Sequence, residues 1–101
     1  MKPIQFLFKN CLAGPELEKF ADHTLGRIRD LAPYGAQVFG ALERLDAGYE
    51  CAIDVYSLDR PFAVRKFAET ELDAIEGARD QIRTKFTTWK LNRFEQGPLP
   101  P

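Results

Sequence analysis

Cysteine is scarce in this chain of 101 residues, which contains only Cys11 and Cys51. Two cysteines are too few for a disulfide framework, and their spacing matches no metal-binding motif. Cys51 lies within a run of β-forming residues, where a free cysteine usually acts as a small buried hydrophobic side chain. We therefore expect no metal site, and a core that needs neither disulfides nor metal.

Long hydrophobic runs are missing as well. The longest apolar stretches fall far short of the roughly 20 residues that a membrane-spanning helix needs. Residues 1–5 contain no apolar run that ends in a small-residue cleavage site, so they do not resemble a signal peptide. These absences predict a cytoplasmic protein without a membrane partner.

Groups that could carry out catalysis are few. His23 is the only histidine, and it falls on the polar side of a predicted helix, where a solvated histidine is expected rather than a general base. The chain has no glycine-rich phosphate loop, zinc spacing or nucleophile elbow. Three acidic residues could line an exposed strand face, where carboxylates need no catalytic explanation: Glu43, Glu50 and Asp54. We predict a protein that is not an enzyme, with no catalytic residue, no cofactor and no small-molecule substrate.

Hydrophobic residues are plentiful by contrast. They make up 45% of the chain and include eight phenylalanines, which suffices for one core. The length is that of one ordinary domain. The last residues are rich in proline and carry no hydrophobic periodicity, so they should form a frayed end. The sequence predicts a single domain over residues 1–94 and a disordered proline-rich tail over residues 95–101.

Six segments show the periodicity of regular structure. Strands are predicted at 4–8, 37–45, 49–57 and 61–67, and helices over 15–31 and from residue 71 onward. Pro15 suits the first turn of a helix, and Pro33 disfavours helical geometry at the residue before it. Thr70 opens a capping-box pattern. Apolar residues at helical spacing predict that both helices face a core. Among them are Leu17, Phe20, Leu25 and Leu31 in the first helix and Leu72, Ile82 and Trp89 in the second.

The strands alternate apolar and polar residues, as in a sheet with one buried and one solvated face. Asp46-Ala47-Gly48 separates two of them, and its glycine is available for a positive φ in a tight hairpin. The order is therefore β-α-β-β-β-α. We predict an α+β fold in which two helices pack on one face of a four-stranded sheet.

Charge is distributed unevenly, although the net charge is only −1. Residues 1–59 carry six basic and nine acidic side chains, whereas residues 60–101 carry eight basic and six acidic ones. Between residues 79 and 93 five basic side chains stand against one acid, Asp80. This asymmetry permits an anionic partner at one side of the fold, but does not require one.

Several segments resemble, in order and spacing, those of one known family. They are Leu25-Gly26-Arg27-Ile28, residues 50–55, Phe62-Ala63 and residues 70–76. The family is the short ribosome hibernation-promoting factors and ribosome-associated inhibitors of bacteria, which have Leu-x-Lys-Leu at the first of these places and Phe-Ala at the third. The resemblance runs from Ile4 to about Lys90.

This resemblance implies a domain similar to double-stranded-RNA-binding modules. Such a domain binds small-subunit rRNA in the decoding channel during stasis or stress and inhibits translation, without chemistry and without a cofactor. The expected contacts join basic side chains to rRNA phosphates, with shape mattering more than sequence. Lys9, Arg27 and Lys90 match basic positions of the family. Together with the other basic residues of the last helix they form the predicted contact set, which is Lys9, Arg27, Arg79, Arg83, Lys85, Lys90 and Arg93.

The last helix departs from the family pattern. Three positions that are basic in the family are Gln81, Thr84 and Thr88 here, while Arg83 and Lys85 lie one residue away. One residue corresponds to about 100° around a helix, so these charges point in another direction. Either the basic patch is rebuilt from the neighbouring residues, or the ribosome contact is altered or lost.

An alternative function belongs to another class. The same fold could serve as a protein-interaction or dimerisation module that has lost ribosome binding, with a homo-oligomer as one outcome. An exposed strand edge, or an apolar sheet face that bears Phe39 and Tyr56, would provide the contact surface.

Overall fold

A computed structural model describes residues 4–33, 35–58 and 60–95 of the chain, with side chains described as far as residue 91. These residues form four strands and two helices in the predicted order. They are β1 (Ile4–Lys9), α1 (Pro15–Leu31), β2 (Gln37–Leu45), β3 (Gly48–Tyr56), β4 (Pro61–Ala68) and α2 (Glu71–Glu95). The predicted α+β architecture is confirmed.

The four strands form one mixed sheet in the order β1-β2-β3-β4. β1 pairs with β2 in parallel, because α1 crosses over between them, and the other pairs are antiparallel. β4 therefore runs in the same direction as β1. Since each helix returns against the strand that precedes it, α1 and α2 run side by side in the same direction.

Local chemistry explains where the helices begin and end. Pro15 occupies the first turn of α1, and Ala32 adopts an extended conformation before Pro33, which ends this helix as predicted. At the start of α2, the Thr70 hydroxyl accepts a hydrogen bond from the backbone N–H of Asp73 at 3.2 Å. The predicted cap of the last helix is thus confirmed.

Both helices cover the same face of the sheet and form the core with it. Alternate residues of β2, β3 and β4 are buried, among them Val38, Leu42, Cys51, Ile53, Val55, Phe62 and Val64. α1 adds Ala21, Leu25 and Ile28, and α2 adds Ala74, Ile75, Ala78, Ile82, Phe86 and Trp89. The other face of the sheet carries no helix.

Two leucines predicted to face the core do not. Leu31 is 40% exposed and Leu72 is 51% exposed. Leu72 precedes Ile82 by ten residues, which places it about 80° around α2 from the buried stripe. Leu31 lies about 60° around α1 from Ile28 by the same geometry. Both side chains therefore point toward the space between the helices and not toward the sheet.

Gly48 serves a different purpose from the one its sequence context suggests. Leu45 pairs with Gly48 across a two-residue hairpin, but within the described residues positive φ occurs only at Asn10 and Gly35. A Cβ atom on Gly48 would lie 2.5 Å from the backbone carbonyl oxygen of Ala68. Glycine is required at position 48 because the backbone of β4 lies so close to it, and not because this residue adopts a positive φ.

We expect Gly48→Ala to destabilise the protein by about 1–3 kcal/mol, because the backbone of β4 must shift to admit the methyl group. Gly26→Ala is the matched control. Gly26 lies inside α1 with open space around its Cα, so alanine there should stabilise by about 0.5–1 kcal/mol. Urea unfolding followed by circular dichroism measures both changes. Equal changes in stability for the two substitutions would show that close approach of β4 is not what requires glycine at position 48.

Neither helix of the described residues is long and apolar enough to cross a membrane. Glu95, which the sequence assigned to the tail, is the last residue of α2. Residues 96–101 of the predicted tail lie outside the described residues.

Candidate nucleic-acid interface

A groove of about 290 Å³ separates the C-terminal half of α1 from the middle of α2. We call it the interhelical groove. Its polar lining consists of His23, Thr24, Arg27 and Asp30 from α1 and of Arg79 and Arg83 from α2. Its apolar lining consists of Phe20, Ile28 and Leu31. The groove brings together three of the seven basic residues predicted to contact RNA.

Helical spacing explains why these side chains meet. His23 and Arg27 lie four residues apart on α1, and Arg79 and Arg83 lie four residues apart on α2, so each pair shares one side of its helix. The buried stripe of α2 fixes that helix on the sheet. Arg79 and Arg83 are then directed sideways, toward α1.

The guanidinium groups of the groove differ in their partners. Arg79 lies 3.2 Å from a carboxylate oxygen of Asp80 and 3.9 Å from one of Glu76, and so is partly neutralised. No carboxylate of the described residues lies within 4.0 Å of the Arg27 or Arg83 guanidinium groups. Both side chains are exposed. Their charges remain available to an anion.

Lys90 extends the basic row along α2. It follows Arg83 by seven residues, which places it within about 20° of Arg83 around the helix axis. Lys85 lies only two residues from Arg83, yet about 200° around the axis, on the side of α2 away from the groove. Of the two lysines, only Lys90 therefore continues the row formed by Arg79 and Arg83.

Two predicted contact residues stand apart from the groove. Lys9 alternates with the core-facing Phe8 along β1, so it lies on the sheet face opposite the helices. Arg93 belongs to the last turns of α2, and its side chain is outside the described residues. Their roles stay predictions.

The positions that are basic in the resembling family lie elsewhere on α2. Gln81, Thr84 and Thr88 are exposed, and helical geometry places them about 100–180° around α2 from Arg79 and Arg83. Three basic residues of this chain, counting Lys90, are thus grouped on the side that faces α1.

The sequence did not predict the other six residues of the groove, of which His23, Phe20 and Leu31 matter most to its chemistry. His23 is exposed, as expected, but it lies beside the arginines rather than alone on the surface. Phe20 and Leu31 were assigned to the core stripe, whereas they line the groove as well. The four-residue spacing of His23 and Arg27 was the available signal, but nothing in the sequence located α2 beside them.

The two thiols are not activated. Burial raises the pKa of Cys51 to about 12. Burial, followed by the nearby Glu71 carboxylate, raises the pKa of Cys11. Both therefore stay protonated near neutral pH, in the form that is a poor nucleophile. Within the described residues, no three His, Cys, Asp or Glu side chains are grouped so that they could hold a metal ion.

The sheet face without helices carries the side chains on which the alternative function depends. Phe39 contacts Tyr56 edge to face, with ring centroids 5.8 Å apart. Leu7 and Phe67 are exposed on the same face. Carboxylates lie among them, and Glu50 is 3.5 Å from the Arg65 guanidinium. The face is mixed in polarity and uncovered.

A group of acidic side chains lies at the N-terminal ends of the two helices, at the opposite end of the helical layer from the groove. A second depression there is lined by Glu16, Leu17, Thr70, Glu71, Leu72, Asp73 and Glu76. Carboxylates in the first turn are stabilised by the positive end of the helix dipole. The helical layer is therefore acidic at one end and basic toward the other, and an RNA backbone would be repelled from the acidic end.

Comparison with known proteins identifies the fold. No family model matches this sequence, and no curated protein does. The N-terminal domain of Thermus thermophilus Protein Y superposes with a TM-score of 0.71 at 15% identity, covering 84% of this chain and 94% of that one. A ribosomal subunit interface protein from Coxiella burnetii superposes with a TM-score of 0.74 at 12% identity, covering 87% and 97%. The fold that the sequence resemblance implied is confirmed: this chain has the fold of Protein Y and of ribosomal subunit interface proteins.

Proposed function

We propose that this protein is a ribosome-associated stasis factor, which binds rRNA of the small ribosomal subunit in the decoding channel and thereby inhibits translation. One observation carries the proposal. Arg27, Arg79 and Arg83 converge from two helices on one groove, in a fold shared with ribosomal subunit interface proteins. The decoding channel and the inhibition come from the sequence resemblance.

The chemistry of the groove suits phosphate. Arginine presents a planar fork of donors that matches phosphate oxygens, and its charge persists at any physiological pH. Each phosphate contact releases condensed counterions, so several contacts give strong binding at low salt. Because the whole chain carries a net charge of −1, attraction must come from this local patch and not from the overall charge.

Co-sedimentation of the purified protein with isolated small and large ribosomal subunits tests the proposal. We expect binding to the small subunit at about 50 mM salt and release as salt rises toward 200 mM, as phosphate contacts require. The large subunit, also a polyanion, controls for unspecific attraction. Equal binding to both subunits, or none at low salt, would rule the proposal out. Inhibition of cell-free translation is measured in parallel.

The uncovered sheet face supports a second candidate function, that of a protein-interaction or dimerisation module. Its exposed Leu7, Tyr56 and Phe67 side chains favour an apolar contact. Apolar association tolerates salt, whereas phosphate contacts do not. Sedimentation equilibrium at about 0.5 M salt therefore separates the two functions, because only self-association through this face would persist there.

A further inference from the structure

We propose that the interhelical groove holds a single unstacked nucleotide of single-stranded RNA, with its phosphate between Arg27, Arg79 and Arg83 and its base against Phe20 and Leu31. This inference deepens the proposed function and rests on it for the identity of the RNA. It differs from the duplex recognition that the resemblance implies, in which a protein follows the backbone of a double helix. The ligand class is a nucleotide whose base is free to leave its stack.

The size of the groove favours one nucleotide over a duplex. At about 290 Å³ it lies at the lower end of the range of small-ligand sites. A double helix presents its phosphates on a convex surface, which would touch the outer residues of the groove but leave its interior empty. A single nucleotide can enter a concave site of this size.

The lining contains the two surfaces that a nucleotide needs. Arg27 on one wall and Arg83 on the other provide cations for the phosphate. Phe20 is half-buried and Leu31 is partly exposed, so both leave apolar surface open to the groove. Bases of single strands are commonly recognised by stacking on aromatic side chains or on the planes of guanidinium groups. A free phosphate ion would use the arginines but leave the apolar surface in water.

Lys90 is positioned to contact the RNA next to the bound nucleotide. Lys90 lies beyond the groove on the same side of α2, where it can meet the phosphate of a neighbouring nucleotide. The acidic depression at the other end of the helices repels the backbone there. The strand would therefore leave the groove toward Lys90.

Fluorescence anisotropy of labelled RNA tests the inference with the full chain at about 50 mM salt. Two RNAs are compared: a single-stranded hexanucleotide and a blunt duplex with the same number of phosphates. We expect the single strand to bind more tightly. Leu31→Ala should weaken single-strand binding about fivefold or more, because it removes apolar surface that the base would cover. Duplex binding should stay nearly unchanged. Leu72→Ala, which truncates another partly exposed leucine, in the acidic depression, should change neither affinity.

Phe20→Leu provides a second variant that keeps an apolar side chain but removes the aromatic plane, with its fold checked by circular dichroism. It should lower single-strand affinity by a similar factor. Tighter binding of the duplex, or equal losses for Leu31→Ala and Leu72→Ala, would overturn the inference. These outcomes are independent of the proposed function: a protein that sediments with the small subunit but prefers duplex RNA refutes the inference alone.

Discussion

Charge reversal at Arg83 is expected to lower affinity for the small ribosomal subunit about 10- to 100-fold at low salt. Arg83 lines the interhelical groove, has an exposed guanidinium, and has no carboxylate of the described residues within 4.0 Å. A hydrogen bond to a charged group contributes about 1.5–3 kcal/mol, and Arg83→Glu removes such a bond and adds repulsion. The slope of log K against log salt should also fall by about 1, since one phosphate contact is lost.

Lys85→Glu is the matched control for this experiment. It makes the same charge change two residues away on an equally exposed position of α2, but on the side away from the groove. We expect it to weaken binding by no more than about threefold, through the general loss of positive charge. Co-sedimentation across a salt series measures both variants. Similar losses at the two positions would show that binding depends on net charge and not on the groove.

Phe62→Ala is expected to cost about 3–5 kcal/mol of the free energy of unfolding, the largest stability effect predicted for this protein. Phe62 is 6% exposed, and its ring packs edge to face against Phe86 at 5.0 Å and Trp89 at 6.1 Å between centroids. These contacts attach the second half of α2 to the start of β4. Typical domains have only about 5–15 kcal/mol of stability, so a large fraction would be lost.

Phe67→Ala in the same strand is the control. Phe67 is 48% exposed on the sheet face without helices, so its truncation should change stability by less than about 1 kcal/mol. Urea unfolding monitored by far-ultraviolet circular dichroism compares the two, and Trp89, the only tryptophan, reports the environment of α2 by fluorescence. A small effect of Phe62→Ala would show that the aromatic cluster does not hold the helix.

The Phe62 and Arg83 experiments both depend on how α2 packs on the sheet. Its buried side, from Ile75 to Trp89, sets the rotation of the helix on the sheet, and that rotation directs Arg79 and Arg83 toward α1. We therefore expect Phe62→Ala to weaken RNA binding too, while Arg83→Glu leaves stability nearly unchanged. The site depends on the core, but the core does not depend on the site.

The sequence by itself determined the order of the elements and most of their bounds. Pro15, Pro33 and Thr70 act within one or two residues of their own positions, through a fixed φ, a steric restriction and a side-chain cap. The alternation in β3 identifies its buried face because successive side chains must point to opposite sides. Such features are local, so they can be read from neighbouring residues.

Only the tertiary structure decided which basic residues meet. Arg27 and Arg83 are separated by 56 positions, and their proximity depends on how α1 and α2 lie side by side on the sheet. The helical period shows that Arg83 and Lys85 point in different directions, but not which direction faces a partner helix. Tertiary packing also placed Leu31 in the groove, beside α2, and required glycine at position 48, beside β4. Each of these contacts involves a segment distant in the chain.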